Sequence, residues 1–274
     1  MLTINIDEIS IVFYENPISR AYLKFFFNEN IKIKNFLYLN DKSFLPNKIN
    51  AYKLFSKNNY YAFKFLKDKN VIKLISQIEE FFLMPKNFCL DMYSFSNFGI
   101  NKDIIYVPNK SINSKELIDI LSQKKFLNNY ILNTGNEILR DVLNLKLNFF
   151  HIHPGFLPEV RGADGSLNSI LYKNSIGTTS FIMTDKIDHG DILLREKYEY
   201  PKFKFENYND YNLKDIYRIW YCFFDPLLRV SHLKKLFENK LIKLKETDKS
   251  NIGDYYSFLD NNKLKKVFDK IFIQ

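Results

Sequence analysis

Three of the chain's four histidines, His151, His153 and His189, fall between positions 151 and 189, the stretch with the densest glycine and proline punctuation. An imidazole with an ordinary pKa of about 6.5 exchanges a proton near neutrality, and its lone pair can also hold a metal. His151 and His153 are two residues apart, so on a strand both side chains leave the same face. The segment after them, Pro154-Gly-Phe-Leu-Pro158 and then Arg161-Gly162, is rich in residues that restrict a chain's turns and reads as a rigid rim. Carboxylates follow at Asp164, Asp185, Asp188 and Asp191. Two chemistries compete for these groups. A histidine paired with a carboxylate relays protons. Alternatively, His151-x-His153 with Asp164, Asp188 and Asp191 has the ligand types of a zinc- or iron-dependent hydrolase. The residues alone leave both open.

The elements that must position these residues read as alternating strands and helices. Residues 9–13 read as a short buried strand, 17–27 as a helix and 33–39 as a second strand, a β-α-β opening. Between 45 and 100 the pattern weakens, with helix-like stretches at 60–66 and 71–82 among Asn- and Lys-rich loops. Residues 104–107 read as a strand and 114–121 as a helix that Ser111 or Ser114 caps. A strand is expected at 130–132, a short helix at 137–143 and a core strand at 147–152, which carries the histidines to its end. Residues 164–172 have helical periodicity with Asp164 or Ser166 as cap, 178–183 read as a strand, 184–190 as a loop and 191–194 as another strand. The alternation predicts an α/β fold with a doubly wound, mostly parallel sheet, whose ligands lie beyond the C-terminal strand ends. From 201 the alternation stops. Residues 217–228 and 231–237 look helical, with Pro226 expected to bend or break the first. The chain therefore divides into an α/β domain at 1–200 and a mainly helical C-terminal extension at 201–274, in which 253–256 is read as folding back toward the site.

Composition narrows the partners. Hydrophobic residues make up 46% of the 274 positions, enough for a full-sized core. No apolar run approaches the roughly 20 residues that span a bilayer, and the N-terminus lacks the pattern of a secretory signal, so a cytoplasmic protein without membrane contact is expected. Cys89 and Cys222 lack the spacing of a metal knuckle or redox pair and read as buried thiols. The net charge of +9 suits an anionic partner, but the lysines are scattered rather than gathered in a stripe. A phosphate-bearing small molecule fits this pattern better than nucleic acid.

The order His153-Pro154, Leu157-Pro158, Arg161-Gly162, then Gly177-Thr-Thr, then Asp188-His-Gly190-Asp-Ile192 resembles the pattern of the folate-dependent formyltransferases, N-x-H-P-S-L-L-P-x-x-R-G, G-x-T and D-x-G-x-I. The likeness covers residues 100 to 195 well and the remainder faintly. It implies the formyltransferase variant of the Rossmann fold, with 10-formyltetrahydrofolate as donor and a primary amine as acceptor. Family acceptors include glycinamide ribonucleotide, methionyl-tRNA and nucleotide-linked amino sugars. A nucleotide-linked sugar is favoured here because no additional basic barrel for tRNA is evident. The resemblance implies that His153 shuttles the amine proton and Asp188 orients it. The family asparagine that donates to the formyl oxygen is here His151, whose ring N–H is expected to donate instead. Gly155 stands where the family has serine. The resemblance sets the folate against Asn136, Glu137, Ile138 and Leu139 on one side and Thr184, Asp185 and Ile187 on the other. A homodimer is compatible with these features, as is a non-catalytic binding protein on the same scaffold.

Overall fold

The computed structural model describes residues 3–5, 9–40, 57–93, 104–123, 126, 130–239, 241–243 and 253–273. The loop stretches expected at 45–56 and 94–100 lie outside them. In chain order the strands are β1 (Thr3–Asn5), β2 (Ile9–Phe13), β3 (Ile33–Leu39), β4 (Ile104–Val107), β5 (Tyr130–Asn133), β6 (Asn148–His153), β7 (Val160–Gly162), β8 (Ile176–Ile182), β9 (Ile192–Tyr198), β10 (Phe203–Lys204), β11 (Leu241–Lys243), β12 (Asp254–Tyr256) and β13 (Phe272–Ile273). The helices are α1 (Pro17–Asn28), α2 (Lys57–Phe65), α3 (Lys69–Phe81), α4 (Phe88–Met92), α5 (Lys115–Leu121), α6 (Gly165–Lys173), α7 (Leu213–Ile219), α8 (Asp225–Glu238) and α9 (Asn261–Ile271).

Seven strands form the main sheet in the order β4-β3-β2-β5-β6-β8-β9. The first five run parallel, whereas β8 is antiparallel to both β6 and β9. The fold is thus α/β with a mostly parallel sheet, as the alternation predicts. Every residue of β2 is buried, Ser10 included, as a strand at the centre of a parallel sheet covered on both faces requires. The chain winds from β2 out to β4 and then returns to β5 on the other side of β2. The C-terminal ends of β2 and β5 are therefore the point at which the winding reverses, where such sheets leave a crevice. Thr134 ties the two ends together: its hydroxyl donates to Val12 O at 2.9 Å and accepts from Ser19 Oγ at 2.7 Å. Beside it Asn16 caps α1 through Ser19 N at 2.9 Å, with Pro17 at the first turn.

Three local expectations meet the structure with differences. Residues 136–140 are not helical; a 3-10 turn forms later, at Asp141–Leu145. Asn113 is the reason, since its amide donates to Ile138 O at 2.9 Å and its oxygen accepts from Arg140 N at 2.6 Å, taking backbone groups that a helix would use. Asp164 stands at the N-cap position of α6, but its side chain makes no capping hydrogen bond, and Ser166 is not the cap. Asp164 accepts from Tyr217 Oη at 2.6 Å and Leu259 N at 2.9 Å, and Ser166, inside the helix, accepts from Trp220 Nε1 at 3.0 Å. Beside Pro226, which sits in the first turn of α8, the α-helical pattern is interrupted as expected, yet the chain stays helical through it. Proline cannot donate to the carbonyl four residues back, Cys222 O, and that carbonyl accepts from Tyr93 Oη at 2.8 Å instead. A π-helical turn at Trp220–Phe224 absorbs the misfit and joins α7 to α8. In α5, Ser114 rather than Ser111 is the cap, through Leu117 N.

The segment beyond residue 200 contributes Ile216, Trp220, Phe224, Leu228 and Phe268 to the same apolar cluster as Ile9, Phe26, Leu132 and Ile152. Helix α8 packs on α1 and beneath β6 and β8, which brings its polar stripe to the crevice.

Candidate active site

A cavity of about 580 Å³ opens at the reversal point, lined from β2 and β5 by Tyr14, Asn16 and residues 134–138, from β6 by His151 and His153, and from the 181–188 stretch by Phe181, Met183, Thr184, Lys186, Ile187 and Asp188. Helices α7 and α8 and the turn between them add Tyr217, Trp220, Tyr221, Asp225 and Arg229. This volume is typical of a site that encloses much of a small organic molecule.

His151 and His153 leave the same face of β6, as their spacing requires. The structure brings His153 Nδ1 to 3.3 Å from Asp188 Oδ1. The other ring nitrogen, Nε2, lies 3.0 Å from the carbonyl oxygen of Val160. That distance puts the neutral ring's proton on Nε2, which donates to the carbonyl, and leaves the Nδ1 lone pair on the Asp188 side. A neutral ring satisfies only one of these two acceptors; a ring that has gained a proton satisfies both. Burial pushes His153 below the ordinary histidine value, the Asp188 carboxylate pulls it back up and the Arg229 cation lowers it, with a net downward shift. His153 is only 3% exposed. At neutral pH it is therefore an unprotonated base whose protonated form has two acceptors waiting.

Asp188 is held from the other side. Its Oδ2 accepts from the backbone N–H of Gly162 at 2.7 Å. The Arg-Gly rim noted in the sequence thus orients the carboxylate that faces His153. Gly162 adopts φ +93°, a conformation open to glycine and strained for other residues. Asp188 itself sits at φ +48°, which costs a non-glycine residue about 1 kcal/mol. The loop 184–190 thus carries strain at the residue that faces the histidine.

His151 behaves differently from expectation. Its Nδ1 lies 2.9 Å from Asn133 O and its Nε2 3.2 Å from Arg229 Nη1. The first must be an N–H that donates and the second a lone pair that accepts, so the neutral ring has no N–H left for a ligand. Burial, then the Arg229 cation, push its pKa down to about 4, which keeps it neutral. The expectation that His151 donates to a developing oxyanion is thereby corrected. Three of the four ring nitrogens of the His-x-His pair face a carbonyl or a guanidinium, which counts against the pair as metal ligands. Asp164 is likewise engaged by Tyr217 and Leu259. Among the described residues no cluster of His, Cys, Asp and Glu has the geometry of a metal site.

Of the residues assigned to the folate, Asn136, Glu137, Ile138, Thr184 and Ile187 line the cavity. Leu139 does not: it is fully buried in a second core cluster with Val12 and Val142. Asp185 is exposed and outside the lining. The carboxylate of Glu137 is engaged by Ser111 Oγ at 2.7 Å and Ile112 N at 2.9 Å, so its side chain secures the neighbouring loop. Burial raises its pKa, but these hydrogen bonds outweigh that and leave it below the usual carboxylate range. Tyr14, which was not singled out, has a buried hydroxyl in the cavity wall with no hydrogen-bond partner among the described residues. Tyr255 and Phe258, 61% and 75% exposed, stand at the mouth on residues 253–260. That segment crosses the rim, with β12 pairing parallel to β7. Tyr217, Asp225 and Arg229 were not legible as site residues, although with Tyr221 they recur every four positions. A polar stripe along an otherwise apolar helix was the signal.

No family model and no curated protein matches this chain. Among solved structures it is similar to a sugar N-formyltransferase from Shewanella sp., at 16% identity and a TM-score of 0.45, over 92% of this chain and 76% of that one. A 4-N formyltransferase from Francisella tularensis matches at 17% identity and a TM-score of 0.44, over the same shares of 92% and 76%. Methionyl-tRNA formyltransferase from Clostridium thermocellum matches at 14% identity and a TM-score of 0.39, over 78% of this chain and 77% of that one. Against a further protein, from Mycobacterium tuberculosis, the match spans 57% of this chain and 64% of that one. Formyltransferases are thus its structural neighbours. No helix among the described residues is long and apolar enough to cross a membrane.

Proposed function

We propose that this chain is an N-formyltransferase that moves a formyl group from 10-formyltetrahydrofolate to the primary amine of a nucleotide-linked amino sugar. The observation that carries the reading is the 3.3 Å approach of His153 Nδ1 to Asp188 Oδ1 in a cavity wall, by two residues in register with the family pattern. The amine loses a proton as it forms the new bond to carbon. The Nδ1 edge of His153 receives that proton, and Asp188 holds it there. Reduced folate supplies a formyl group on a nitrogen able to leave. The cavity fits such a molecule in two respects: its volume, and the apolar and backbone walls at 134–138 and 183–187.

The test is direct. The protein is incubated with 10-formyltetrahydrofolate and nucleoside-diphosphate amino sugars, and the formamide product is followed by mass spectrometry. His153→Ala and Asp188→Ala should each lower turnover about 10²-fold or more while the circular dichroism spectrum stays unchanged. Full activity in either variant removes that residue from the reaction. Folate binding without product from any amine would instead make the chain a binding protein.

A further inference from the structure

The reading above uses His153 and Asp188 and leaves a buried cation in the same wall without a role. Arg229 is 8% exposed. Its Nε donates to Asp225 Oδ2 at 2.9 Å, and its Nη1 donates to the carbonyl of Ile152 and lies 3.2 Å from His151 Nε2. Part of this is structural. The Phe149 carbonyl bonds across to Met183 N at 2.8 Å, so alternate carbonyls of β6 face the opposite way, toward β5. Pairing with β5 ends at Phe150, which leaves Ile152 O without a ladder partner, and a buried carbonyl needs a donor. A neutral amide would serve that purpose. A guanidinium beside two imidazoles costs more, because burial penalises its charge. The Asp225 carboxylate outweighs that penalty and holds its pKa above the ordinary value. The fold requires a donor at this place but not a charge.

The geometry points to Arg229 as the catalytic residue that meets the oxygen of the transferred formyl group, with His151 as the positioning residue that holds the guanidinium in the cavity wall. This assignment rests on the formyl-transfer reading. Where the family pattern has an amide, His151 offers no N–H, because Asn133 O takes its proton and Arg229 takes its lone pair. The hydrogen-bond donor has moved from the strand to the helix behind it. In the reaction, the amine nitrogen uses its lone pair to bond the formyl carbon, and the C=O π pair moves onto oxygen beside the guanidinium. The amine proton passes to His153. The carbonyl re-forms as the bond to the donor nitrogen breaks, and that nitrogen keeps the pair and takes up a proton. A cation fixed in place beforehand by Asp225 and Ile152 stabilises the charge on oxygen without having to reorganise.

Two measurements test this. The first is the isotope-edited infrared spectrum of [13C]formyl-labelled 10-formyl-5,8-dideazafolate, an oxidation-stable donor analogue, bound to the unaltered protein with no amine acceptor present. A carbonyl stretch at lower wavenumber than in water is expected. An equal or higher one overturns the assignment without need of any variant. The second uses Arg229→Gln combined with Asp225→Asn, so that no lone buried carboxylate remains. It should lower kcat about 10²- to 10³-fold, leave the donor KM within about threefold and return the carbonyl stretch to its value in water. Adding His151→Asn to that pair, which restores the family amide, should recover at least tenfold in kcat. A purely structural Arg229 would move thermal stability but neither the stretch nor this rescue. If the unaltered protein neither binds the analogue nor forms product, the transfer reading falls and takes the assignment with it. Wild-type transfer with an unimpaired double variant overturns the assignment alone.

Discussion

At the cavity wall the partners of each imidazole decide which ring takes a proton. His153 lies between a carbonyl and a carboxylate, and both are acceptors that a second ring proton would satisfy. His151 lies between a carbonyl and a guanidinium, and the cation forbids a second proton. Two identical side chains on one face of one strand thus become a base and a fixed spacer. The consequence for stability has a definite sign. The pKa of His151 is about 4 in the folded chain against an ordinary 6.5. Below pH 6.5 the unfolded chain takes a proton that the folded chain refuses, so stability present above 6.5 is lost as the pH falls toward 4. From this residue alone the loss is about 3 kcal/mol. His153 and His232 are also pushed down, first by burial, and add in the same direction. The urea midpoint should therefore fall between pH 6.5 and 4.5, and should fall less steeply in His151→Asn. A midpoint that is flat across that range would contradict the burial of these rings.

At the scale of elements, the C-terminal strap and the rim beneath it set the mouth of the cavity. Arg161 donates to Gly253 O at 2.6 Å, Ala163 N donates to Tyr256 O at 2.9 Å, and Asn168 donates to Ser257 O at 3.2 Å. The two backbones approach so closely that a Cβ on Gly253 would lie 1.7 Å from Pro158 O, and one on Gly162 would lie 2.2 Å from Tyr256 O. Alanine at either position should cost about 1–3 kcal/mol and loosen the strap, seen as faster hydrogen exchange at residues 157–163 and 253–258. The two variants should differ in activity. Gly162→Ala also disturbs the amide that holds Asp188 and should lower turnover strongly, whereas Gly253→Ala leaves that amide in place and should mainly raise the substrate KM. Equal effects on turnover would mean that the strap, rather than the amide, controls Asp188. These elements were unevenly legible. Strands dominated by apolar residues, such as 9–13 and 130–132, stood out because a parallel sheet buries both faces. The missing helix at 137–143 was not legible, since the residue that prevents it, Asn113, is distant in sequence. The same holds for Pro226, whose lost hydrogen bond Tyr93 replaces from another helix.

For the molecule as a whole, the placement of the histidines at the end of β6 and of Asp188 in the loop between β8 and β9 could be read from spacing and resemblance, because both rest on local pattern. Arg229 and Tyr14 could not, since their roles come from contacts between elements far apart in the chain, and the same contacts govern how the molecule unfolds. Trp220, the single tryptophan, stacks on Phe224 with ring centroids 3.6 Å apart, meets Phe268 edge-on and donates to Ser166 of α6. Its fluorescence therefore reports the segment beyond 200, whereas far-ultraviolet circular dichroism reports all the helices and the sheet. The apolar cluster runs without interruption from Ile9 and Phe26 through Ile152 to Phe224 and Phe268, so neither part can shed the other without exposing its own core. We expect the two signals to give one coincident urea transition, the signature of a single cooperative unit. Phe268→Ala, which removes a fully buried ring from α9, should cost about 3–5 kcal/mol and move both traces together. If residues 201–274 were an independent appendage, the fluorescence transition would come first, and the substitution would shift it alone.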